Sequence, residues 1–411
     1  MRPLSIAMVT EYAYPILGGV SEHVHFLSRE LAERGHDVTV VTSYVQHKER
    51  TIPDEYRGRR IVRSSEDGLG IVRTYSTPGY GRDLRSRLSN YGTFALWSAI
   101  AELRLPRPDV VVASSPSLPA AAAAAALARA RRARFLLEVR DLWPDSAVAM
   151  GLVTNPRVIG TARRMEHYCY RRADRVVALT EGIRDGVVAS GVIPAGRVSL
   201  ITNGIDLDVL PDPARPADLP VPDDAVVAMF VGAHGTYSSL ETVLGAADLV
   251  QDDPRIRVVL VGGGDRKPAL VADARERGLD NVVFVDPVPK RQVPAFLARA
   301  DVCLLPYQDR DLFAGALPNK VFDYLAAGRP VLAAAPAGEL TRLVDRAGCG
   351  WNVPPEDPAA MAAAIRQAAE DPAAARARGA AGRQHALAEY DRAVLAGRFV
   401  ALVDELAAGA A

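Results

Sequence analysis

Residues 317–334, LPNKVFDYLAAGRPVLAA, decide the fold prediction because they contain a complete helix-to-strand unit. Pro318 predicts the start of a short helix and Gly328 its end, since proline is pre-organised for the first helical turn and glycine suits the left-handed stop position. The apolar run 331–335 follows as a strand, and another apolar strand, 302–306, precedes the helix. This succession predicts an α/β fold.

The loop and first helical turn of this segment form a candidate anion site. Backbone N–H groups are free at a helix N-terminus, the helix dipole favours negative charge there, and Lys320 adds a cation. Asp323 lies one turn further on and, when ionised, is an acceptor suited to sugar or ribose hydroxyls. The same pattern also fits an ordinary strand-to-helix turn with a surface lysine, because such turns are common in α/β sheets.

The start of the chain predicts a second unit of the same kind. An apolar strand at 5–10 leads through Gly18 and Gly19 into a helix at about 20–33, and a strand at 38–43 follows. The two glycines allow the backbone to approach a ligand closely. The G-x-G-x-x-G fingerprint is absent, so a nicotinamide or flavin site is poorly supported.

The length of 411 residues favours two domains. The proline-rich run 211–222 predicts a linker, and the predicted domains are 1–205 and 206–385, with a C-terminal helix within 386–411. Residues 46–89 are predicted as a long polar loop with short strands. The strand candidates are 5–10, 38–43, 60–63 or 71–74, 109–113, 135–139, 175–179 and 198–201, then 226–232, 257–262, 282–285, 302–306 and 331–335.

Composition favours a globular, cytoplasmic protein. Hydrophobic residues make up 49% and charged residues 24% of the chain, no apolar run is long enough to span a membrane, and no signal-peptide pattern opens it. Three scattered cysteines form neither a metal motif nor a disulfide framework. Aromatic residues make up only 6%, and no nucleic-acid-binding module is present, so no nucleic-acid partner is expected.

The zero net charge is unevenly distributed along the chain. Residues 1–205 hold 28 Lys/Arg against 20 Asp/Glu, a net of +8, and residues 206–411 hold 21 against 29, a net of −8. A basic first half can hold an anionic acceptor or rest peripherally on the inner face of an anionic membrane. An arginine-rich solvated surface explains the same composition.

Read as a whole, residues 317–334 resemble the nucleotide-sugar site of retaining glycosyltransferases of the GT-B fold, family 4-like. The bacterial polysaccharide and glycolipid subgroup carries the signature Pro-x-Lys-x-x-Glu-Tyr-x-Ala-x-Gly-x-Pro-Val, and Asp323 stands at its glutamate. Gly315 stands where many relatives have a further glutamate near the transferred sugar. The resemblance covers essentially the whole chain. It implies two Rossmann-like domains that face each other across a cleft, with a C-terminal helix packing back on the first.

The resemblance also implies a metal-independent site for a nucleotide-diphosphate sugar, with no cofactor. Relatives often have an arginine and a lysine on the pyrophosphate where this chain has Ala233 and residues 238–239, so Lys320 and helix N-termini are expected to meet more of the phosphate charge. His234 or Tyr237 is a further candidate for assisting in binding the pyrophosphate. The predicted donor-binding residues are Gly18, Gly19, Gly232, Gly235, Gly263, Val288, Leu317, Pro318, Asn319, Lys320 and Asp323.

A buried strand at 135–139 brings further polar residues to its carboxyl end, where open α/β sheets bind ligands. Arg140 and Asp141 are predicted as catalytic together with Lys320, and Glu138 and His23 as acceptor-binding. Arg140 stands where several relatives have histidine, and an arginine cannot act as a base at neutral pH. The alternatives are a charge pair at a strand end and, for His23, a structural histidine.

The predicted reaction is hexosyl or N-acetylhexosaminyl transfer to a small-molecule, lipid-linked or glycan acceptor, with retention of anomeric configuration. The resemblance implies that the leaving phosphate helps to take the acceptor proton, so that no protein nucleophile is needed. Asp309 and Asp311 resemble a metal-binding Asp-x-Asp, but such triplets are common and no metal is expected. Two alternatives remain, a nucleotide-sugar epimerase of similar fold and a non-catalytic partner subunit.

Overall fold

The computed structural model describes residues 2–13, 19–45, 51–78, 84–205 and 217–409. The chain divides into two compact units, one of residues 1–202 with 394–411 and the other of residues 203–393. Each unit is built around one sheet with helices between successive strands, which confirms the predicted α/β class.

The first unit contains a sheet of eight strands in the order β3-β4-β2-β1-β5-β6-β7-β8, parallel except for the β3–β4 pair. Its strands are β1 Ser5–Val9, β2 Asp37–Ser43, β3 Ile61–Glu66, β4 Leu69–Thr74, β5 Val110–Ser114, β6 Arg134–Val139, β7 Arg175–Ala178 and β8 Val198–Leu200. Its helices are α1 Gly19–Glu33, α2 Leu84–Leu103, α3 Leu118–Ala130, α4 Asp145–Ala149, α5 Pro156–Arg172, α6 Glu181–Ala189 and, from the end of the chain, α14 Arg392–Ala408.

The second unit contains a parallel sheet of six strands in the order β11-β10-β9-β12-β13-β14. Its strands are β9 Val226–Val231, β10 Ile256–Val261, β11 Val282–Val285, β12 Val302–Pro306, β13 Val331–Ala334 and β14 Gly350–Val353. Its helices are α7 Leu240–Leu249, α8 Lys267–Glu276, α9 Val293–Leu297, α10 Asn319–Ala326, α11 Glu339–Ala347, α12 Pro358–Glu370 and α13 Pro372–Glu389.

The central strands are continuous apolar runs because helices cover both faces of a parallel sheet. In β5 and β6 nearly every residue is buried. The small side chains of α3, an alanine-rich helix, let it lie close to the sheet, and Ala121, Ala124 and Ala128 are buried in the first-unit core. Helix α14 contributes Phe399 and Val403 to the same core, so the end of the chain is part of the first unit.

Two predictions at the level of elements need correction. Within 46–89, both alternative strand candidates, 60–63 and 71–74, correspond to strands, and these form the antiparallel β3–β4 hairpin that joins the sheet through β2. The predicted loop ends too late, because α2 already begins at Leu84. The strand β14 was missed, since all four of its residues are only half-buried and it has no long apolar run. Among the described residues, no helix is long and apolar enough to cross a membrane.

Candidate functional site

The first candidate cluster lies at the carboxyl ends of β5 and β6 in the first unit. Glu138, on β6, is buried and uses both carboxylate oxygens: Oε1 lies 2.6 Å from His23 Nε2, and Oε2 accepts from Ser114 Oγ at 2.7 Å and from Arg140 Nη1 at 3.2 Å. Ser114 is directly opposite Glu138 in the parallel register, and His23 comes from the second turn of α1. The fold therefore brings together three predicted site residues from distant parts of the sequence.

The electrostatics of this cluster keep Glu138 ionised. Burial alone would raise the pKa of Glu138, but the charges of Arg140 and His23, with the hydrogen bonds from His23 and Ser114, outweigh it and hold the pKa well below its usual range. A buried carboxylate with this many donors is an anchor that orients His23 and Arg140. Direct contact between Glu138 and an acceptor stays a prediction.

Asp141 is held separately from that cluster. Its Oδ2 accepts from Ser146 Oγ at 2.8 Å, and burial raises its pKa against the effect of that hydrogen bond. Arg140 forms its ion pair with Glu138, and among the described residues Asp141 has no ion pair. A charge pair is therefore present at this strand end, as the alternative allowed, but it joins Arg140 to Glu138 and does not include Asp141. Asp141 is a half-buried carboxylate whose charge is not neutralised locally.

The second candidate cluster is formed by two glycine turns in the second unit, after the neighbouring strands β9 and β10. Gly232 and Gly262 have φ angles of +150° and +145°, and a Cβ on Gly262 would lie 1.9 Å from the carbonyl oxygen of Gly232. Only glycine fits this close approach of two backbones. The His234 N–H also donates to the Gly263 carbonyl at 2.8 Å, which ties the two turns together.

Lys320 lies over these turns from the first turn of α10. Its Nζ is 4.0 Å from the centre of the Phe230 ring, and a Cβ on Gly232 would approach it to 2.8 Å. Four residues later, the Tyr324 hydroxyl accepts from the Val231 N–H at 2.9 Å and lies 3.3 Å from the Val231 carbonyl. Because Lys320 and Tyr324 share one helix face, this buried contact fixes the helix beside the end of β9 and places Lys320 above Gly232.

The ammonium of Lys320 has no anionic partner within the part of the chain that the structure describes. Burial lowers its pKa to about 8 from an ordinary value of 10.5. A lysine at a helix N-terminus, beside glycine turns and without a carboxylate, is placed to meet an anion supplied by a ligand.

The other predicted donor residues surround α10 and the strand ends of this unit. Asp323 forms an ion pair with Lys290 at 2.5 Å. Leu317 is buried, and Pro318 is the N-cap of α10. Asn319, the first residue of the helix, accepts a hydrogen bond from Asn203 Nδ2 at 2.6 Å. Val288 is half-buried against the core. A Cβ on Gly263 would meet Pro287, whereas Gly235 faces open space. In the first unit Gly19 begins α1, and Gly18 lies outside the described residues.

Sequence reasoning gave little weight to three residues around the glycine turns. Lys267 was missed. Its Nζ donates hydrogen bonds to the carbonyls of Gly262 and Val285 and to Asp286, and so stabilises the glycine turn that follows β10. Lys290 was missed as the partner of Asp323. His234 is completely buried with neither ring nitrogen hydrogen-bonded among the described residues, and burial lowers its pKa to about 4. Of these three residues, only His234 could be noticed in the sequence, because it stands directly before Gly235.

In the described residues, no group of three or more His, Cys, Asp or Glu side chains is arranged to hold a metal ion. Asp309 and Asp311 are exposed, and Asp311 begins the short helix at 311–315. Metal independence stays a prediction.

Both halves of the chain match known protein families. Residues 18–204 match the model described as Glycosyl transferase 4-like domain, and residues 225–371 match the model described as Glycosyl transferases group 1. A protein of Escherichia coli (strain K12), named as a colanic acid biosynthesis glycosyl transferase, WcaI, is 29% identical over 372 residues, which cover 86% of this chain and 89% of that protein.

Solved structures confirm the fold class. Sucrose-phosphate synthase from Thermosynechococcus elongatus aligns with a TM-score of 0.79 at 21% identity, over 99% of this chain and 100% of that one. Anabaena HepE in complex with UDP-glucose aligns with a TM-score of 0.70 at 15% identity, over 98% of this chain and 100% of that one. The prediction of two Rossmann-like domains of the GT-B class is confirmed.

Proposed function

Because the chain belongs to the family 4-like glycosyltransferases of the GT-B fold, we propose that it transfers a sugar from a nucleotide-diphosphate donor to an acceptor hydroxyl with retention of anomeric configuration. The observation that carries the donor proposal is Lys320. Among the residues that the structure describes it has no anionic partner, and the contact between Tyr324 and Val231 holds it over two interlocked glycine turns. A diphosphate supplies the negative charge that this arrangement lacks.

The proposed chemistry breaks the bond between the anomeric carbon and the diphosphate and forms a bond from the acceptor oxygen on the same face of the sugar. The acceptor proton passes to the departing phosphate oxygen, so the protein supplies no nucleophile. Lys320 and the backbone N–H groups at the start of α10 stabilise the negative charge that develops on the leaving group. The remaining rate enhancement comes from holding the donor and the acceptor in the reactive orientation.

The roles proposed for the first unit follow from its cluster. Arg140, oriented by Glu138, donates hydrogen bonds to sugar or acceptor oxygens but takes no proton. His23 is oriented by the same carboxylate and borders the acceptor. The acceptor is a small molecule, a lipid-linked sugar or a glycan. We place the enzyme in the cytoplasm, without a metal, with the basic first unit available for peripheral contact with the membrane.

Calorimetric titration with nucleoside diphosphates tests the donor site. Lys320→Ala should weaken binding at least tenfold, because a hydrogen bond to a charged group contributes about 1.5–3 kcal/mol. The control is Arg275→Ala, which removes an exposed cation from the last turn of α8 in the same unit. Equal affinity of the Lys320 variant and wild type would remove Lys320 from the donor site.

A panel of nucleotide sugars, beginning with UDP-glucose because the Anabaena HepE structure holds it, identifies the donor. Transfer or slow hydrolysis supports a transferase. Interconversion of the sugar on the nucleotide without an acceptor would identify an epimerase. Binding that gains turnover only when a second protein is added would identify a partner subunit.

A further inference from the structure

A pocket rich in arginine opens at the edge of the first-unit sheet opposite to Glu138. Its volume is about 450 Å³, and it is lined by the last turns of α3 and α5 and by the first residues of neighbouring strands. Arg134 begins β6, Asp174 directly precedes β7, and Arg197 directly precedes β8. In a parallel sheet these amino ends lie at one edge and Ser114 and Glu138 at the other, so the pocket is separate from the cluster described above.

The charges of the pocket are strongly unbalanced. Its one acidic residue, Asp174, already accepts two hydrogen bonds, from Arg134 Nη1 at 3.0 Å and from the Phe135 N–H at 2.8 Å. The other arginines are exposed, and within the described part of the chain none of them has an ion pair. The arginines that line the pocket are Arg129, Arg132, Arg134, Arg171, Arg172 and Arg197.

Parts of this arrangement are held in place before any ligand arrives. Asp174 fixes Arg134, which also donates to the Gly409 carbonyl, and the Arg172 guanidinium lies 5.4 Å from the centre of the Tyr168 ring. Guanidinium groups repel one another at short range, yet each presents a planar fork that matches phosphate oxygens. A concave site lined by unneutralised arginines concentrates anions.

We propose that this pocket binds a phosphate-bearing ligand with at least two negative charges, at a site independent of sugar transfer. The ligand is either a soluble phosphorylated compound or the phosphorylated headgroup of a lipid, because both present the same oxygens to the arginines. The volume of the pocket is larger than the volume that a single phosphate ion occupies.

Titration with inorganic pyrophosphate tests the soluble source. All variants are made in a Lys320→Ala background, so that binding at the proposed donor site does not contribute. Arg171→Gln/Arg172→Gln and, separately, Arg197→Gln should each weaken pyrophosphate binding, the double variant at least tenfold. The control Arg157→Gln/Arg164→Gln removes two exposed arginines from the same helix, α5, outside the pocket, and should leave the affinity unchanged.

Co-sedimentation with vesicles tests the lipid source. Phosphatidylcholine vesicles with added phosphatidylinositol 4-phosphate, whose headgroup carries at least two negative charges, should retain the wild type and the control variant but lose the pocket variants if the ligand is a headgroup. Pocket-dependent binding of either probe supports the proposal. If pocket and control variants behave alike toward both probes, while melting temperatures show that all are folded, the proposal is wrong.

Discussion

At the scale of single residues, the clearest consequence of the fold is a lysine that titrates near neutral pH. The pKa of Lys320 is lowered to about 8 by burial. Its charge is therefore present in the free protein below pH 8 and lost as the pH rises through that value. A bound diphosphate favours the charged form and raises the pKa again.

We therefore predict that nucleoside diphosphate affinity falls as the pH rises above about 8, and that binding at pH 8.5 takes up a proton. Calorimetry at that pH in two buffers with different ionisation enthalpies measures the proton directly. The uptake should vanish in Lys320→Ala and persist in Arg275→Ala. Binding without proton exchange in the wild type would contradict the assignment of the pKa to the site.

Asp141 offers a second test at this scale, because its carboxylate, unlike the Arg140 guanidinium, does not take part in the buried ion pair with Glu138. Asp141→Asn should keep the melting temperature nearly unchanged and reduce turnover about tenfold or more, some 1.4 kcal/mol of transition-state stabilisation. Ser146→Ala is the matched control, since it removes the same 2.8 Å hydrogen bond but leaves the carboxylate. Normal turnover by a folded Asp141→Asn variant would exclude Asp141 from catalysis.

Arg140→Ala is the less informative variant. It leaves the buried Glu138 carboxylate without its main cationic partner, and breaking a buried ion pair typically costs several kcal/mol. A loss of activity in that variant has to be compared with its loss of stability.

At the scale of elements, one hydroxyl group, that of Tyr324, ties α10 to the end of β9. Tyr324→Phe leaves the buried Val231 N–H without an acceptor, which should lower stability by about 1–3 kcal/mol. Because the same contact places Lys320 over Gly232, nucleotide affinity should fall severalfold and the proton uptake at pH 8.5 should change. Melting curves and calorimetry on one preparation measure both effects.

Tyr390→Phe is the control for this element. It loses a hydrogen bond from Arg346 at 3.3 Å in the same unit, away from the glycine turns. It should lower stability slightly and leave proton uptake unchanged. If the Tyr324 and Tyr390 variants alter binding and proton uptake equally, the hydroxyl of Tyr324 does not position the lysine.

The elements that the sequence could predict are those with a strong local signal. The buried runs of β5, β6, β9 and β12 and the helix between Pro318 and Gly328 are of this kind. The strand β14 could not be predicted, because its four residues are only half-buried and pairing with β13 holds it in the sheet. The strand candidates 60–63 or 71–74 could be read from the sequence, but the antiparallel pairing of β3 with β4 needed the tertiary structure.

At the scale of the whole molecule, the same distinction applies to the candidate site. Lys320 and the glycine turns were predictable because each belongs to a short, continuous sequence motif. The network in which Glu138 joins His23, Ser114 and Arg140 depends on contacts across up to 115 positions in the sequence, so it needed the tertiary structure. The basic excess of residues 1–205 was visible in the composition, but its concentration at the pocket of Arg171 and Arg197 was not.

The central claim is retaining transfer from a nucleotide-diphosphate sugar. Proton NMR tests it most directly, by following the sugar released from an α-linked donor such as UDP-glucose, in EDTA, with water in place of the acceptor. We predict that the α anomer appears first, before mutarotation, and that Lys320→Ala slows its release. Initial release of the β anomer from every accepted α-linked donor would contradict retention and the front-face chemistry proposed for Lys320.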